Sequence, residues 1–156
     1  MSSQGWEKPV SLSVTTALYW LIPEPEFKDL PLLPNAHNGR HESLVMVYRG
    51  DAREQLVLRL WPADTKFAGH PGESLWVGNV SRQNMRNSMT MLTLPVTLGD
   101  FNRALDLFIP MVSGWDNAIV KRATKQLNGR GQLIRWDGRV ILLTPKPGLR
   151  YLQKPT

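Results

Sequence analysis

The chain has 156 residues, a formal net charge of +6 and no cysteine, so disulfides, thiolate metal sites and cysteine nucleophiles are excluded. Apolar residues make up 42% of the chain and charged residues 21%, values typical of a globular domain, which argue against disorder of the whole chain. No apolar run approaches the ~18 residues of a membrane-spanning helix, and the polar start of the chain lacks the apolar core of a signal peptide. We therefore expect one soluble domain over residues 1–156, with its core at about 5–145 and an irregular tail at 146–156.

The first predicted element is a helix over Ser11–Ile22, capped by Ser11 or Ser13 and ended by Pro23. Its apolar residues recur at helical spacing, at Val14, Ala17, Leu18 and Leu21. The proline-rich residues 23–41 predict an extended connection pinned by leucines, and Asn38-Gly39 marks a tight turn within it.

Strand-like segments follow this connection. They are Leu44–Arg49, Gln55–Trp61, Ser74–Ser81 and Met89–Thr97. Gly50-Asp51 predicts the first turn between them, and residues 62–73 predict a surface loop. Pro95 cannot donate to a ladder, which places the last of these strands at a sheet edge.

The last third of the chain predicts two helices and a hairpin. Asp100 caps a helix whose apolar stripe consists of Phe101, Ala104, Leu105 and Phe108, with Pro110 at its end. A third helix is predicted over Asp116–Asn128. Asp137-Gly138 separates Leu133–Trp136 from Arg139–Leu143, which predicts a C-terminal β-hairpin. The fold class is therefore α+β, a mostly antiparallel sheet of about five to six strands with two to three helices.

The motifs of common enzymes are missing from the sequence. There is no Gly-x-Ser-x-Gly serine and no glycine-rich phosphate loop. His37 and His41 have the spacing of a helical metal site, but Asn38-Gly39 breaks any helix between them. We predict no catalytic residue, no metal ligand and no cofactor; a small enzyme that uses His37, His41 and Glu42 in a cleft stays open as an alternative.

The positive charge favours anionic partners, although no run of five like charges occurs. Trp61, Trp76 and Trp136 fall in predicted strands with arginines nearby, a pattern that nucleic-acid stacking also uses. Aromatic residues on a sheet more often pack under a helix. Nucleic acid is therefore the less favoured partner.

Two strand motifs resemble a known family. Leu58-Arg59-Leu60-Trp61, followed by Leu75-Trp76-Val77-Gly78-Asn79-Val80-Ser81, is similar to the C-terminal domain of LssY-type proteins. Gly5-Trp6, Pro31-Leu32-Leu33-Pro34 and Asn38-Gly39-Arg40 add to the likeness, which covers roughly residues 5–145.

The resemblance implies an accessory domain fused behind a DedA-like or phosphatidic-acid-phosphatase membrane module of a bacterial protein. Where relatives carry histidines and an aspartate, this chain reads Leu56-Val57 and Arg82-Gln83. The phosphatase pattern that would begin at Ser81-Arg82 finds Ser88 and Leu92 where a histidine and an aspartate are required, so phosphoryl transfer cannot use it.

We therefore expect a non-catalytic accessory domain attached to the bacterial inner membrane, on a side that the sequence does not give. Its partners would be the membrane module, another protein segment or anionic lipid headgroups. The candidate binding residues are Arg59, Trp61, Trp76 and Arg82, although packing within the sheet also accounts for them.

Overall fold

The computed structural model describes residues 5–23, 25–50, 54–66, 74–87, 93–122, 128–129 and 132–146. The chain forms two compact units, residues 1–98 and residues 99–156. Both contain helices and antiparallel strands, which confirms the α+β class. The prediction of one domain over the whole chain stays a prediction.

The first unit is built around an antiparallel sheet. Its strands are β1 (Trp6–Glu7), β2 (Ala36–His37), β3 (Arg40–His41), β4 (Leu44–Tyr48), β5 (Glu54–Lys66), β6 (Ser74–Asn87) and β7 (Thr93–Thr97). Five of these form one sheet in the order β1-β4-β5-β6-β7, and β2 pairs with β3 in a small hairpin. All four predicted strands are present over the described residues, and β7 with Pro95 lies at the sheet edge as expected. The prediction of a surface loop is wrong for residues 62–66, which continue β5, while residues 67–73 and 88–92 lie outside the described residues.

Strand β5 is the centre of this unit, because Gln55 through Arg59 are all buried. Val57 packs with Val47 and with Leu32 of the proline-rich connection. Phe27 and Leu30 of the same connection are also buried, and residues 27–30 form hydrogen-bonded turns where an extended chain was predicted.

The first helix is shorter than predicted. It consists of α1 (Val14–Ala17) and a 3-10 turn (Leu18–Leu21). Ser13 caps α1 through a reciprocal pair of bonds with Thr16, and Ile22 before Pro23 is extended, as the proline requires. The Thr16 hydroxyl also donates to the Ser11 carbonyl, a local bond that competes with continuing the helix.

The second unit begins with the predicted cap. The Asp100 side chain accepts a hydrogen bond from the Arg103 amide, and α2 (Phe101–Phe108) buries Ala104, Leu105 and Phe108. A 3-10 turn (Ile109–Val112) follows, with Pro110 near its start. The remaining elements are the strands β8 (Trp115–Lys121), β9 (Asn128–Gly129), β10 (Gln132–Leu133) and β11 (Arg139–Pro145).

Two predictions for this unit are wrong. The segment predicted as a third helix begins with β8, which pairs along its whole length with β11; residues 123–127 lie outside the described residues. Ile119 and Val120 are β-branched, and a distant partner strand overrides the helical spacing.

The prediction of a C-terminal hairpin is also wrong, because β11 pairs with β8 rather than with Leu133–Trp136. The type I′ turn that Asp-Gly favours in a two-residue hairpin needs positive φ at both turn residues, and of Asp137 and Gly138 only the glycine has it, at 87°. Arg135 instead forms a parallel bridge with Asp100. Asn38 and Gly39 do meet the requirement, with φ of 51° and 75°, and they join β2 to β3.

Candidate functional site

The four candidate binding residues do not share one surface. Side chains alternate along a strand, and the register pairs Arg59 with Asn79, Arg82 with Leu56 and Trp76 with Pro62. Arg59 and Trp61 therefore lie on one face of the sheet, and Trp76 and Arg82 lie on the other. Arg59 and Trp61 are buried, Arg82 is half-buried and Trp76 is 47% exposed.

Arg59 is 4% exposed, so its guanidinium group is buried inside the fold. Its Nε lies 3.6 Å from Glu42 Oε1, an ion-pair distance longer than a hydrogen bond, and its Nη2 donates to the Leu33 carbonyl at 3.4 Å. Burial lowers the pKa of Arg59, and the Glu42 charge acts in the opposite direction. The Glu42 Oε2 atom accepts from the Asn35 amide at 2.8 Å, so this ion pair ties the chain on both sides of the β2–β3 hairpin to β5.

Trp61 holds the hairpin itself. Its indole N–H donates to the Arg40 carbonyl at 3.1 Å, and the His37 ring lies 5.6 Å from it, tilted by 50°. Such tilted ring contacts are favourable beyond the area they bury. The Trp61 indole thus contacts both strands of the hairpin and helps to hold it on the sheet, together with the ion pair between Arg40 and Asp64 of β5.

The structure does not bring His37, His41 and Glu42 together as an acid–base site. His37 pairs with Arg40 and His41 with Ala36, so the two imidazoles lie on opposite faces of the hairpin. The Glu42 carboxylate forms its ion pair with Arg59 instead. Over the described residues, no group of three or more histidine and acidic side chains is placed to hold a metal ion.

A row of buried polar side chains, which the sequence analysis missed, crosses the same face of the sheet as Arg59. Gln55 Nε2 donates to Gln83 Oε1 at 3.1 Å, and Gln83 Nε2 donates to Thr97 Oγ1 at 3.3 Å. Ser81 Oγ is buried and has no hydrogen-bond partner among the described residues. The row has no titratable group, so it supplies hydrogen bonds but neither an acid nor a base. Polar residues at alternate positions of β6, Asn79, Ser81 and Gln83, were the available signal.

Arg82 is also engaged within the sheet. Its Nη2 and Nε donate to Glu54 Oε2 at 2.6 and 3.2 Å. Of the four candidates, Trp76 alone presents a large exposed surface, and its neighbours Leu75 and Val77 are exposed as well.

Gly78 explains the Trp-Val-Gly motif. A Cβ atom at this position would lie 2.4 Å from Leu60 Cδ2 and 2.5 Å from the Arg59 carbonyl oxygen, on the facing strand. Contacts this short are forbidden, so only glycine allows β5 and β6 to approach here. The motif is therefore a packing signature of this strand pair.

In the second unit, the half-buried Arg139 lies between two partly exposed carboxylates. Its Nη1 donates to Asp106 Oδ1 at 2.7 Å and its Nε to Asp137 Oδ2 at 2.8 Å. The bond to Asp106 raises the pKa of Arg139, and the Arg139 backbone N–H lowers the pKa of Asp137. Lys121, Arg122 and Arg135 are exposed, and none of them makes a salt bridge within the described part of the chain.

In the part of the chain that the structure describes, no helix combines the length and the apolar content needed to cross a bilayer. Comparison with the curated proteins and with the solved structures gives no significant match. A family model described as LssY C-terminus matches residues 1–140, which is most of the chain. This confirms the resemblance carried by the two strand motifs, and the chain belongs to the LssY C-terminus family.

Proposed function

We propose that this LssY C-terminal domain is a non-catalytic accessory domain that works beside the inner membrane of a bacterial cell, joined to or in complex with a membrane module. Its partners would be anionic lipid headgroups or another protein segment. The observation that carries the proposal is the use of the motif side chains: Arg59, Trp61 and Arg82 all direct their polar groups to partners inside the fold. The motif side chains thus stabilise the fold, and binding would use other side chains that are exposed.

Two further observations support this reading. The imidazoles of His37 and His41 lie on opposite faces of their hairpin, so the enzyme alternative lacks its cleft. The exposed surface combines large apolar side chains, such as Trp76 and Leu142, with a formal charge of +6 over the chain, a combination suited to an anionic, partly apolar partner.

Fractionation of the native bacterium tests the proposal. An epitope-tagged copy, expressed from its own gene at its natural level, should sediment with the inner membrane. The variant Trp76→Ala removes a half-exposed side chain. A smaller sedimented fraction of this variant would show that the exposed surface around Trp76 takes part in membrane binding. Recovery of the tagged natural chain in the soluble fraction at low salt would refute the membrane setting. Release by nuclease treatment would favour nucleic acid instead.

A further inference from the structure

One edge of strand β8 is open in the second unit. The strand pairs with β11 on one side, and among the described residues no other strand bonds to its second side. Residues 116–122 are all exposed. Ile119 and Val120, which lie on opposite faces of the strand, are 51% and 44% exposed. An edge strand with β-branched side chains exposed on both faces is a template for pairing with another strand.

The hydrogen bonds of the ribbon show which backbone groups point to this open edge. The Arg122 amide donates to the Gly138 carbonyl at 2.8 Å, so these residues form a hydrogen-bonded pair. Bonded and non-bonded pairs alternate in an antiparallel ladder, so the next pair, Lys121 with Arg139, is not bonded. The residues of β8 whose amides and carbonyls point away from β11 are therefore Trp115, Asn117, Ile119 and Lys121.

The outer edge of β11 is less accessible to another strand. The Arg139 amide donates to Asp137 Oδ1 at 3.1 Å, and the Arg139 carbonyl accepts from the Trp136 indole at 2.9 Å. Pro145, at the other end of β11, has no amide hydrogen. On β8, the Trp115 carbonyl alone among the outward groups has a side-chain partner within the described part of the chain. The edge of β8 is thus the side of the ribbon that can accept a further strand.

The sequence of β8 complements itself when two copies run antiparallel about Ile119. Outward-pointing groups must face one another, so the possible two-fold registers differ by two residues. In the register centred on Ile119, Asp116 lies opposite Arg122 of the second copy, at both ends of the contact. Ala118 lies opposite Val120 of the second copy, and Ile119 lies opposite itself. In the neighbouring registers, Asp116 faces Val120 or Arg122 faces Ala118, and both charge pairs are lost.

The two charged residues are available for this contact. Asp116 and Arg122 are exposed, and neither forms a salt bridge within the described residues. In the register centred on Ile119 they form a non-hydrogen-bonded pair, the kind in which facing side chains lie closest. Opposite charges that face each other across strands stabilise a sheet, and like charges destabilise it.

We propose that the open edge of β8 pairs antiparallel with the same edge of a second copy, which joins two ribbons into one four-stranded sheet. The contact is two-fold symmetric and self-complementary, as in most dimers of soluble proteins. It satisfies the outward amides and carbonyls of β8 and places an ion pair at each end. The inference goes beyond the proposed function and does not require a membrane.

The positive charge of the second unit opposes this pairing and sets the conditions for its measurement. Residues 1–98 contain nine lysines and arginines and nine acidic residues, so their formal charges cancel. Residues 99–156 contain ten lysines and arginines against four aspartates, which accounts for the whole excess of six. At about 0.15 M salt the Debye length is about 8 Å, so distant charges are screened while facing side chains still interact.

Sedimentation velocity of the purified chain at that salt concentration tests the proposal. One strand from each copy makes a small interface, so we expect a dimer with a dissociation constant on the order of 10 µM. Ile119→Lys places two ammonium groups opposite each other and should weaken the dimer by more than about tenfold. Leu142→Lys is the matched control, because it adds the same charge at a similarly exposed position of β11, away from the contact. It should change the dissociation constant by less than about threefold.

Exchange of the two charges tests the register. Asp116→Arg alone and Arg122→Asp alone each place like charges opposite each other at both ends, and each should weaken the dimer by about tenfold. Arg122→Asp also lowers the net charge of each copy, so general repulsion would predict the reverse. The double variant Asp116→Arg, Arg122→Asp should dimerise like the natural chain. An equimolar mixture of the two single variants should form a mixed dimer, because every arginine then faces an aspartate. Circular dichroism checks that each variant is folded.

Amide hydrogen exchange followed by NMR gives a second measurement. The amides of Ile119 and Lys121 should exchange more slowly as the concentration of the natural chain rises, because they become bonded in the dimer. The Val120 amide, which points towards β11, should change less.

Several results would overturn the proposal. A chain that stays monomeric at about 200 µM, well above the expected dissociation constant, does so. A dimer that Ile119→Lys leaves intact uses another surface, and a charge exchange that restores nothing refutes the register. If a monomeric chain shows slower exchange at Ile119 only with anionic vesicles or a membrane-protein strand, the edge belongs to that partner. Each result is independent of the cell fractionation, so failure of one proposal is distinguishable from failure of the other.

Discussion

Arg59 of the first unit and Arg139 of the second unit each meet carboxylates, but in different surroundings. Arg59 and Glu42 are both buried, at 5% and 8% side-chain exposure. The Arg139 side chain is 25% exposed, and it lies between carboxylates that are 47% and 37% exposed. Water screens the charges around Arg139 but not those of the buried Arg59–Glu42 pair. Removing one partner of the buried pair should therefore lower the free energy of unfolding much more. Burial, more than the number of contacts, therefore decides which arginine the stability of the fold depends on.

The two units also differ in what their polar groups do. In residues 1–98, charges cancel and the polar side chains of β5 and β6 bond to one another inside the sheet. In residues 99–156, cations such as Lys121 and Arg122 remain exposed. A net charge calculated for the whole chain conceals this division. The formal excess of six positive charges therefore lies wholly in residues 99–156.

The largest loss of stability is expected when Arg59 is replaced. Replacement by methionine keeps most of the stem volume but leaves the Glu42 carboxylate buried without its cation. We expect the free energy of unfolding to fall by about 3 kcal/mol or more. Urea titration followed by circular dichroism measures the loss. The variant Arg139→Met should lose much less.

The double variant Arg59→Met, Glu42→Gln gives the matched test of the cause. Glutamine keeps an acceptor for the Asn35 amide but removes the buried charge. We expect it to recover about 1 kcal/mol or more relative to Arg59→Met alone. Equal losses for Arg59→Met and Arg139→Met, or no recovery in the double variant, would mean that burial is not what separates the two arginines.

The second prediction compares glycines in the two units. Gly78→Ala would push a methyl group into Leu60 and into the Arg59 carbonyl, and we expect a loss of about 2 kcal/mol in the free energy of unfolding. Gly114→Ala is the control, because nothing lies within 4 Å of a Cβ atom there. It should stay within about 0.5 kcal/mol of the natural chain. Similar urea midpoints for the two variants would contradict the close approach of β5 and β6.

The smallest predicted effect concerns pH and belongs to the second unit. Hydrogen bonding from the Arg139 backbone N–H, aided by its side chain and opposed by partial desolvation, holds the pKa of Asp137 below its ordinary value of 3.8. Because the folded state favours the ionised carboxylate, its contribution to stability is complete above pH 3.8. The contribution is lost as the pH falls through the lower pKa of the folded state.

Carbon-detected NMR titration of the Asp137 carboxyl measures this directly. In Arg139→Gln the backbone donor remains while the side-chain charge is lost, so the pKa should rise but stay below the ordinary value. An unchanged pKa would show that the Arg139 side chain has no part in it. A rise beyond 3.8 would contradict the role of the backbone bond.

Elements whose pattern is local could be predicted from the sequence. The alternation of β5, the edge position of Pro95 and the Asp100 cap all depend on residues close in the chain, and all are confirmed. The segment Asp116–Asn128 was predicted wrongly because the partner of β8 lies in β11, well beyond any local window. The hairpin predicted at Asp137-Gly138 does not form, because a hairpin requires a particular turn conformation and the residue pair alone does not guarantee it.

The site was predictable only in part. Arg59 and Trp61 were singled out by their motif, but alternation could not show which face is buried, because β5 is buried on both. Glu42 was noticed beside histidines, whereas its charge partner is Arg59, seventeen positions away in sequence. Contacts of that kind arise from the fold of the connection, and the sequence does not encode them in a local pattern.

The two edge strands of the first sheet affect how readily one copy of this unit could pair with another. On one side the sheet ends in β1, which has two residues, and on the other in β7, where Pro95 offers no amide hydrogen. Neither edge gives an incoming strand a long row of free donors and acceptors. Both features oppose the joining of two such sheets edge to edge, the contact from which fibrils grow.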